Sequence, residues 1–201
     1  MNNKLNENLI SSLIKNNSKV LDIGCGNGSL LQYLETNKNI NGQGIEISHK
    51  GVQECVSKGL SVIQGNADTD LIHFPNNAFY IVILSRTLQA THNPKDILYE
   101  MLRIGKKCIV SIPNFGHWKC RLQILFEGKM PMTKSLSSQW YETENIHLCT
   151  IKDFVEICKI LNIYIEAAYT NNEYKIKKLN NPDNFLNNLL SKEGIFVLTK
   201  K

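Results

Sequence analysis

The 201 residues lack the patterns expected of a membrane segment or an export signal. The apolar stretches, such as residues 81–84, are far too short to cross a bilayer. Residues 1–4 are polar and lack the apolar core of a signal peptide. We therefore expect a cytoplasmic protein without a membrane partner.

Cysteine pairs at metal-binding spacing are also lacking. The six cysteines contain no CxxC motif and have no histidine at zinc-finger spacing, so we expect them to be reduced and mostly buried. The chain has no HExxH motif and no paired carboxylates that indicate a metal site. No Ser-His-Asp arrangement indicates that this chain itself carries out acyl transfer.

Long runs of charge of one sign are scarce. The net charge is +5, and the basic residues are scattered apart from short clusters such as residues 175–178. This pattern is typical of a solvated surface, so we expect no nucleic-acid partner. The length and the 42% hydrophobic content predict one domain over residues 1–201.

The most informative stretch is residues 20–28, where an apolar run reaches Asp22 and continues into three alternating glycines. A helical pattern follows, so the stretch predicts a strand, a glycine loop and a helix. Glycines allow a ligand to approach the backbone, and the helix N-terminus offers unpaired N–H groups. A plain structural turn is the alternative. The predicted cofactor-binding residues here are Asp22, Gly24, Cys25, Gly26 and Gly28.

The spacing of these glycines favours one class of ligand. It is GxGxG, whereas the dinucleotide fingerprint requires GxGxxG. Asp22 adds negative charge, which disfavours a pyrophosphate and suits an ammonium group. Glu46, at the end of the next predicted strand, is placed to accept the hydrogen bonds of a ribose diol. Together these residues resemble the S-adenosylmethionine (SAM) site of class I methyltransferases.

Alternating strand and helix patterns continue through the next hundred residues, and they predict a parallel sheet with a ligand crevice at its carboxyl edge. At this edge Asn66 occupies the position of the usual adenine-binding acidic residue, beside the backbone of Ala67. Asp68 is an alternative adenine acceptor or only part of a turn. Ser85 leaves the fourth strand into the crevice and is also predicted to bind the cofactor.

An insert at about residues 113–150 is predicted to form the substrate or partner face. His117 and His147 within it are weak candidates for a general base, and structural hydrogen bonding is the alternative for both. Aromatic side chains at a cleft rim favour recognition, although a tryptophan is often part of a core. The predicted substrate or partner residues are Gln89, Asn114, Trp118, Trp140 and Tyr141. After the insert we expect a strand at 163–168, a loop over 169–178 and a final strand at 195–198.

Residues 17–161 closely resemble the MetW family of bacterial methionine-biosynthesis proteins. The most specific motifs are Ile83-Leu-Ser-x-Thr-Leu-Gln-Ala90, Ser111-Ile-Pro-Asn-Phe-Gly-His-Trp118, Lys129-Met-Pro-Met-Thr-Lys134 and Trp140-Tyr-x-Thr-x-Asn-Ile-His-Leu-Cys-Thr150. The chain departs from the family at Asn66 and Tyr80, where Asp is usual, and at Arg86, where Gln is usual.

The resemblance implies a Rossmann-like class I SAM-methyltransferase fold. This fold is an α/β three-layer sandwich with a seven-stranded, mostly parallel sheet in the order 3-2-1-4-5-7-6. The resemblance further implies SAM or S-adenosylhomocysteine as cofactor and a MetX-like homoserine O-acyltransferase as partner. The chain is then expected to act with that enzyme in methionine synthesis. The alternative is a SAM-dependent methyltransferase with a small-molecule acceptor.

Overall fold

The computed structural model describes residues 2–133, 136–172 and 175–200, which form helices on both faces of one sheet. The strands are β1 (Lys19–Ile23), β2 (Asn41–Glu46), β3 (Val62–Gln64), β4 (Phe79–Ser85), β5 (Gly105–Pro113), β6 (Tyr164–Asn171), β7 (Ile176–Lys178) and β8 (Glu193–Thr199). The helices are α1 (Asn2–Leu13), α2 (Ser29–Lys38), α3 (His49–Ser57), α4 (Ala67–Asp70), α5 (Pro94–Ile104), α6 (Trp118–Leu122), α7 (Ile151–Ile160) and α8 (Phe185–Leu190).

The strands of the described chain lie in the order β3-β2-β1-β4-β5-β8-β6-β7. The first five are parallel, and β8 runs antiparallel to both β5 and β6. The predicted fold is confirmed. The predicted order 3-2-1-4-5-7-6 is also confirmed, because the sixth predicted strand is β6 and the seventh is β8. The short strand β7 is an addition, so the prediction of a loop over 169–178 was wrong for residues 169–171 and 176–178, which lie in strands. Tyr169, Thr170 and Asn171 pair with β7 in an antiparallel hairpin that polar composition concealed.

The middle of the sheet is apolar on both faces, as a covered parallel sheet requires. Along β4, Val82 and Leu84 belong to one core, and Ile81 and Ile83 belong to the other. This alternation follows from the opposite directions of successive side chains in a strand. Helices α5 and α7 pack on the first face, while α1, α2 and α3 cover the second, which gives three layers.

Two helix starts were readable from the sequence. Thr150 and Asp153 form a capping box at the start of α7, since each side chain accepts the other's backbone N–H. Pro94 stands at the first position of α5, where its missing N–H costs nothing. Within the described ranges, every helix is too short or too polar to span a membrane.

Candidate functional site

The loop between β1 and α2 folds tightly because three glycines adopt left-handed backbone conformations. Their φ angles are 67° at Gly24, 55° at Gly26 and 74° at Gly28. The N–H groups of Gly24 and Cys25 donate to the carbonyl of Ile45 at 2.8 and 3.2 Å. The glycine loop is thereby fixed to the carboxyl end of β2, beside the crevice predicted from the sequence.

Asp22 lies at the floor of this loop and is 2% exposed. Its Oδ1 atom is buried and has no hydrogen-bond partner. Burial, and secondarily the nearby carboxylate of Glu46, raises the pKa of Asp22 from 3.8 to about 7. A buried acceptor with no donor is costly in a folded protein. The position is therefore complementary to a ligand that supplies a positive N–H donor.

Glu46, at the end of β2, organises the same loop from the other side. Its Oε2 atom accepts the N–H of Gly26 at 2.8 Å, and its Oε1 atom accepts the N–H of Ser48 at 2.8 Å. Each carboxylate oxygen has a further lone pair for a ligand hydroxyl. The predicted contact of Glu46 with a ribose diol remains a prediction, and its role in holding the loop was not expected.

Two cavities flank the glycine loop. The smaller has a volume of about 250 Å³ and is lined by Asp22, Cys25 and Ser85 together with residues of α1. The larger has a volume of about 510 Å³ and is lined by Glu46, Ser48 and the segment 65–68. Gly24, Gly26, Asn27 and Arg86 border both cavities. An elongated ligand can therefore place one end near Asp22 and the other near Glu46.

The predicted adenine contacts already make structural hydrogen bonds. The Oδ1 atom of Asn66 accepts the N–H of Asp68 at 2.9 Å and caps α4. The carboxylate of Asp68 accepts the N–H groups of His92 and Asn93 at 3.0 and 2.9 Å. Asn66, Ala67 and Asp68 all line the 510 Å³ cavity. Asp68 thus fixes the loop before α5, which agrees with its alternative interpretation as a turn residue.

The insert (residues 113–150) encloses a third cavity of about 1240 Å³ beyond the end of the sheet. Phe115, Met130 and Trp140 contribute apolar walls, and Arg86 lies on its border with the two smaller cavities. The Oε1 atom of Gln123, another lining residue, is buried without a hydrogen-bond partner. A second ligand therefore has space next to Arg86. Lys134, the last residue of one family motif, lies outside the described residues.

Two predicted substrate or partner residues lie in the interior. Gln89 is 1% exposed and its Nε2 atom donates to the carbonyl of Pro113 at 3.3 Å and contacts Cys149 Sγ at 3.1 Å. Asn114 is 2% exposed, and its Nδ2 atom donates to the carbonyls of Asn188 and Ser191, both at 2.7 Å. Their bonds hold the insert against the sheet.

The two candidate bases make hydrogen bonds with backbone groups. His117 is buried, and its Nδ1 atom accepts the N–H of Lys119 at 3.3 Å, which caps α6. His147 is exposed, with Nε2 at 3.4 Å from the carbonyl oxygen of His92. Neither histidine lines any of the three cavities. This placement favours their interpretation as structural hydrogen-bonding residues.

Arg86 is the functional candidate that the sequence interpretation missed. It follows β4 directly, has a left-handed φ of 60°, and borders all three cavities. Its Nε and Nη2 atoms donate to the two carboxylate oxygens of Glu193, each at 2.8 Å. Its position at the carboxyl edge of the sheet was the available signal, because ligands bind at this edge in parallel α/β folds.

Large apolar side chains of the insert are exposed to solvent. Phe126 is 77% exposed, Leu125 72%, Trp140 70% and Tyr141 66%, while Trp118 is 40% exposed. The rings of Trp140 and Tyr141 pack edge to face with centroids 5.6 Å apart. We call these five side chains, four of which are aromatic, the aromatic rim. Exposed apolar groups in one segment are typical of an interaction surface.

Comparison with known proteins identifies the family. The family model described as "Methionine biosynthesis protein MetW" matches residues 4–198. The chain belongs to the MetW family. A bifunctional methionine biosynthesis protein MetXA/MetW from Rhodopirellula baltica is 32% identical over 171 residues, which cover 81% of this chain. The chain spans only 27% of the length of that relative.

Solved structures place this MetW family member among the methyltransferase folds. A SAM-dependent methyltransferase from Thermotoga maritima has a TM-score of 0.69 and 16% identity, with 100% of this chain and 90% of that chain covered. One from Mesorhizobium loti has a TM-score of 0.68 and 12% identity, with 95% of both chains covered. These likenesses establish the fold, and the family establishes a methionine biosynthesis protein.

Three of the motifs that resemble MetW meet around one side chain. Gln89 belongs to the motif 83–90 and contacts Pro113 in the motif 111–118 and Cys149 in the motif 140–150. Its carbonyl also accepts the N–H groups of Ile146 and His147. These three motifs thus form one structural unit that joins the end of β4 to the insert.

Proposed function

We propose that the chain binds SAM and acts as an accessory subunit of a MetX-like homoserine O-acyltransferase in methionine synthesis. The observation that best supports the ligand is the unpartnered, buried Oδ1 atom of Asp22 beside the glycine loop. An ammonium group supplies the donor and the positive charge that this atom lacks. Asp22 would therefore hold the amino-acid end of the ligand.

The remaining predicted cofactor residues suit the rest of this ligand. Glu46 would accept the ribose hydroxyls, while the segment from Asn66 to Asp68 would border the adenine in the 510 Å³ cavity. Ser85 borders the smaller cavity and makes an Oγ–Oγ hydrogen bond of 3.2 Å with Ser111. SAM would supply either a transferable methyl group or a signal of the level of the pathway's product.

The fused relative and the aromatic rim support the partner. In the protein from Rhodopirellula baltica, MetXA and MetW are parts of one bifunctional protein. A covalent link raises the effective concentration of two modules for each other. The aromatic rim offers tryptophan, tyrosine and phenylalanine, which are enriched at protein interfaces. We infer that this surface binds the separate acyltransferase.

A small-molecule methyltransferase is the second candidate, and the 1240 Å³ cavity favours it. This cavity shares Arg86 with the cavities at the glycine loop, so an acceptor could lie next to a bound SAM. Methyl transfer is an in-line displacement that depends mainly on orientation. That neither His117 nor His147 lines a cavity therefore does not exclude it.

Reconstitution with the cognate acyltransferase tests the two functions. We expect the two proteins to co-purify and homoserine acylation to rise when this chain is added, with and without SAM as separate arms. Unchanged acylation on mixing would contradict the accessory role. Formation of S-adenosylhomocysteine with an acceptor from a metabolite panel would instead support the methyltransferase.

Trp140→Ala should weaken the complex with the acyltransferase. Truncation of an aromatic hot spot costs about 2 kcal/mol, which corresponds to a roughly 30-fold rise in Kd. Surface plasmon resonance with the immobilised acyltransferase measures this change. Tyr99→Ala is the matched control, because Tyr99 is 51% exposed on α5 and lies outside the insert. Equal affinities of the wild type and Trp140→Ala would remove Trp140 from the interface.

A further inference from the structure

The backbone fixes Arg86 at the point where the three cavities meet. Its left-handed φ of 60° is unusual for a residue with a side chain. Its N–H donates to the carbonyl and to the Oγ atom of Ser111, at 3.0 and 3.1 Å. Strained conformations of this kind concentrate at functional sites. The direction in which the side chain leaves β4 is therefore set by the sheet itself.

Glu193 then fixes the guanidinium group. The side chain of Glu193 is 3% exposed. Its carboxylate accepts hydrogen bonds from Nε and Nη2 of Arg86. The Nδ2 atom of Asn6 also donates to both carboxylate oxygens at 3.0 Å. The Oδ1 atom of Asn6 in turn accepts a hydrogen bond from Nδ2 of Asn171. The group that orients Arg86 is thus itself held on two sides.

One edge of the guanidinium is left open. A guanidinium has five N–H donors in a planar fork, and the bonds to Glu193 use two of them. Among the described residues, Nη1 has no acceptor within hydrogen-bond distance. The Arg86 side chain remains 32% exposed. The Nη1–Nη2 edge is consequently a rigid pair of donors that matches a carboxylate.

We propose that Arg86 binds a ligand carboxylate through this open edge. Among the described residues that line the 250 Å³ cavity, Arg86 is the one cation, and Asp22 and Glu7 are the acidic residues. A guanidinium edge and a buried unpartnered acceptor that line one cavity suit the carboxylate and the ammonium of an α-amino acid. Where the ligand is SAM, this proposal for Arg86 rests on the proposed function, because the two concern the same site.

A ligand carboxylate can reach Arg86 from two sources. One is the amino-acid end of SAM in the 250 Å³ cavity, and the other is a second ligand in the 1240 Å³ cavity. The latter cavity is also lined by Lys129 and by several acceptors, which are Gln123, whose Oε1 atom is unpartnered, Glu127, Glu142 and Glu144. These acceptors suit a ligand with N–H or O–H donors in addition to its carboxylate.

Isothermal titration calorimetry with two matched pairs of ligands tests the proposal and separates the sources. The first pair is SAM and decarboxylated SAM, and the second is L-homoserine and 3-aminopropan-1-ol. We expect Arg86→Gln to weaken at least one carboxylate ligand by about 10- to 100-fold, the range of a charge-assisted pair. The analogue without the carboxylate should change by less than about twofold. Arg86→Lys should rescue only part of the affinity, because lysine has no planar edge.

Two further variants separate binding from stability. Arg86→Gln alone leaves the buried Glu193 unpaired and can unfold the protein. The double variant Arg86→Gln/Glu193→Gln removes both charges, so we expect it to stay folded and to allow the binding measurement. Arg103→Gln is the control, because Arg103 also forms a bidentate pair, with Glu100, but borders none of the three cavities. Arg103 also donates to the carbonyls of Leu71 and Phe74, so the stability of this variant is measured beside its affinities. Arg103→Gln should leave all four affinities unchanged.

The outcomes distinguish this inference from the proposed function. If the wild type binds neither adenosyl ligand, SAM binding fails, and the homoserine pair then decides the role of Arg86. If the wild type does not prefer the carboxylate in either pair, the inference is overturned. Equal losses for both members of a pair, or no loss in Arg86→Gln, also overturn it and leave the Glu193 pair a structural one.

Discussion

Replacing Asp22 with Asn should stabilise the ligand-free protein at alkaline pH and remove most of its affinity for SAM. The buried carboxylate of Asp22 has a pKa raised from 3.8 to about 7, so ionising it in the folded state costs roughly 4 kcal/mol. Asparagine has a similar shape and avoids this cost. It also lacks the negative charge that would bind an ammonium group, so we expect about a 100-fold loss of affinity.

The dependence on pH has a definite sign. Between the unfolded pKa of Asp22, near 3.8, and its folded pKa of about 7, the folded state holds a proton that the unfolded state has released. The contribution of Asp22 to stability is therefore complete below the unfolded value and is lost as the pH rises through the folded value. In Asp22→Asn this loss should be absent.

Urea unfolding of both proteins from about pH 4 to about pH 8 measures the effect. The free energy of unfolding should fall with pH in the wild type and stay flatter in Asp22→Asn, so that the difference grows toward pH 8. Asp96→Asn, on the exposed start of α5, controls for the loss of an acidic group. Parallel pH profiles for the wild type and Asp22→Asn would contradict the buried ionisation of Asp22.

Gly28→Ala should lower the free energy of unfolding by more than Gly26→Ala does. A Cβ atom at Gly28 would lie 2.5 Å from Leu60 Cδ1 and 2.8 Å from Cys55 Sγ, both in the core. The left-handed φ and the overpacking together should cost about 3 to 4 kcal/mol. At Gly26 a Cβ atom meets nothing within 4 Å, so only the backbone strain of about 1 to 2 kcal/mol applies.

Chemical denaturation and ligand titration separate the roles of the two glycines. Gly26→Ala should remain folded, yet its methyl group would be added at a residue that lines both loop cavities and should weaken SAM binding. Gly28→Ala should lose stability whether or not SAM is present. Equal stability of the two variants would show that tight packing is not what requires glycine at position 28.

Local patterns were sufficient to predict most of the sheet and the glycine loop. The apolar run of β4 and the GxGxG spacing each depend on neighbours in sequence, and both were placed correctly. The resemblance to MetW supplied the order of the seven predicted strands. The strand β7 was missed because a short polar edge strand has no apolar alternation.

Contacts between distant residues could not be predicted in the same way. Arg86 and Glu193 are 107 positions apart, so no spacing rule connects them. The interior positions of Gln89 and Asn114 depend on carbonyls of segments far along the chain. Polar residues in predicted loops were interpreted as contacts for a substrate or a partner. In the structure the side chains of Gln89 and Asn114 instead donate hydrogen bonds within the protein.

The placement of β8 has a consequence for the order of folding. This strand is synthesised after β6 and β7 but lies between β5 and β6, so the far side of the sheet is completed only when β8 has paired. Glu193, which orients Arg86, begins that strand. A nascent chain can thus form the glycine loop before β8 exists, but Arg86 gains its Glu193 partner only after β8 has been synthesised and has paired. We expect affinity for a carboxylate ligand to appear only at that stage.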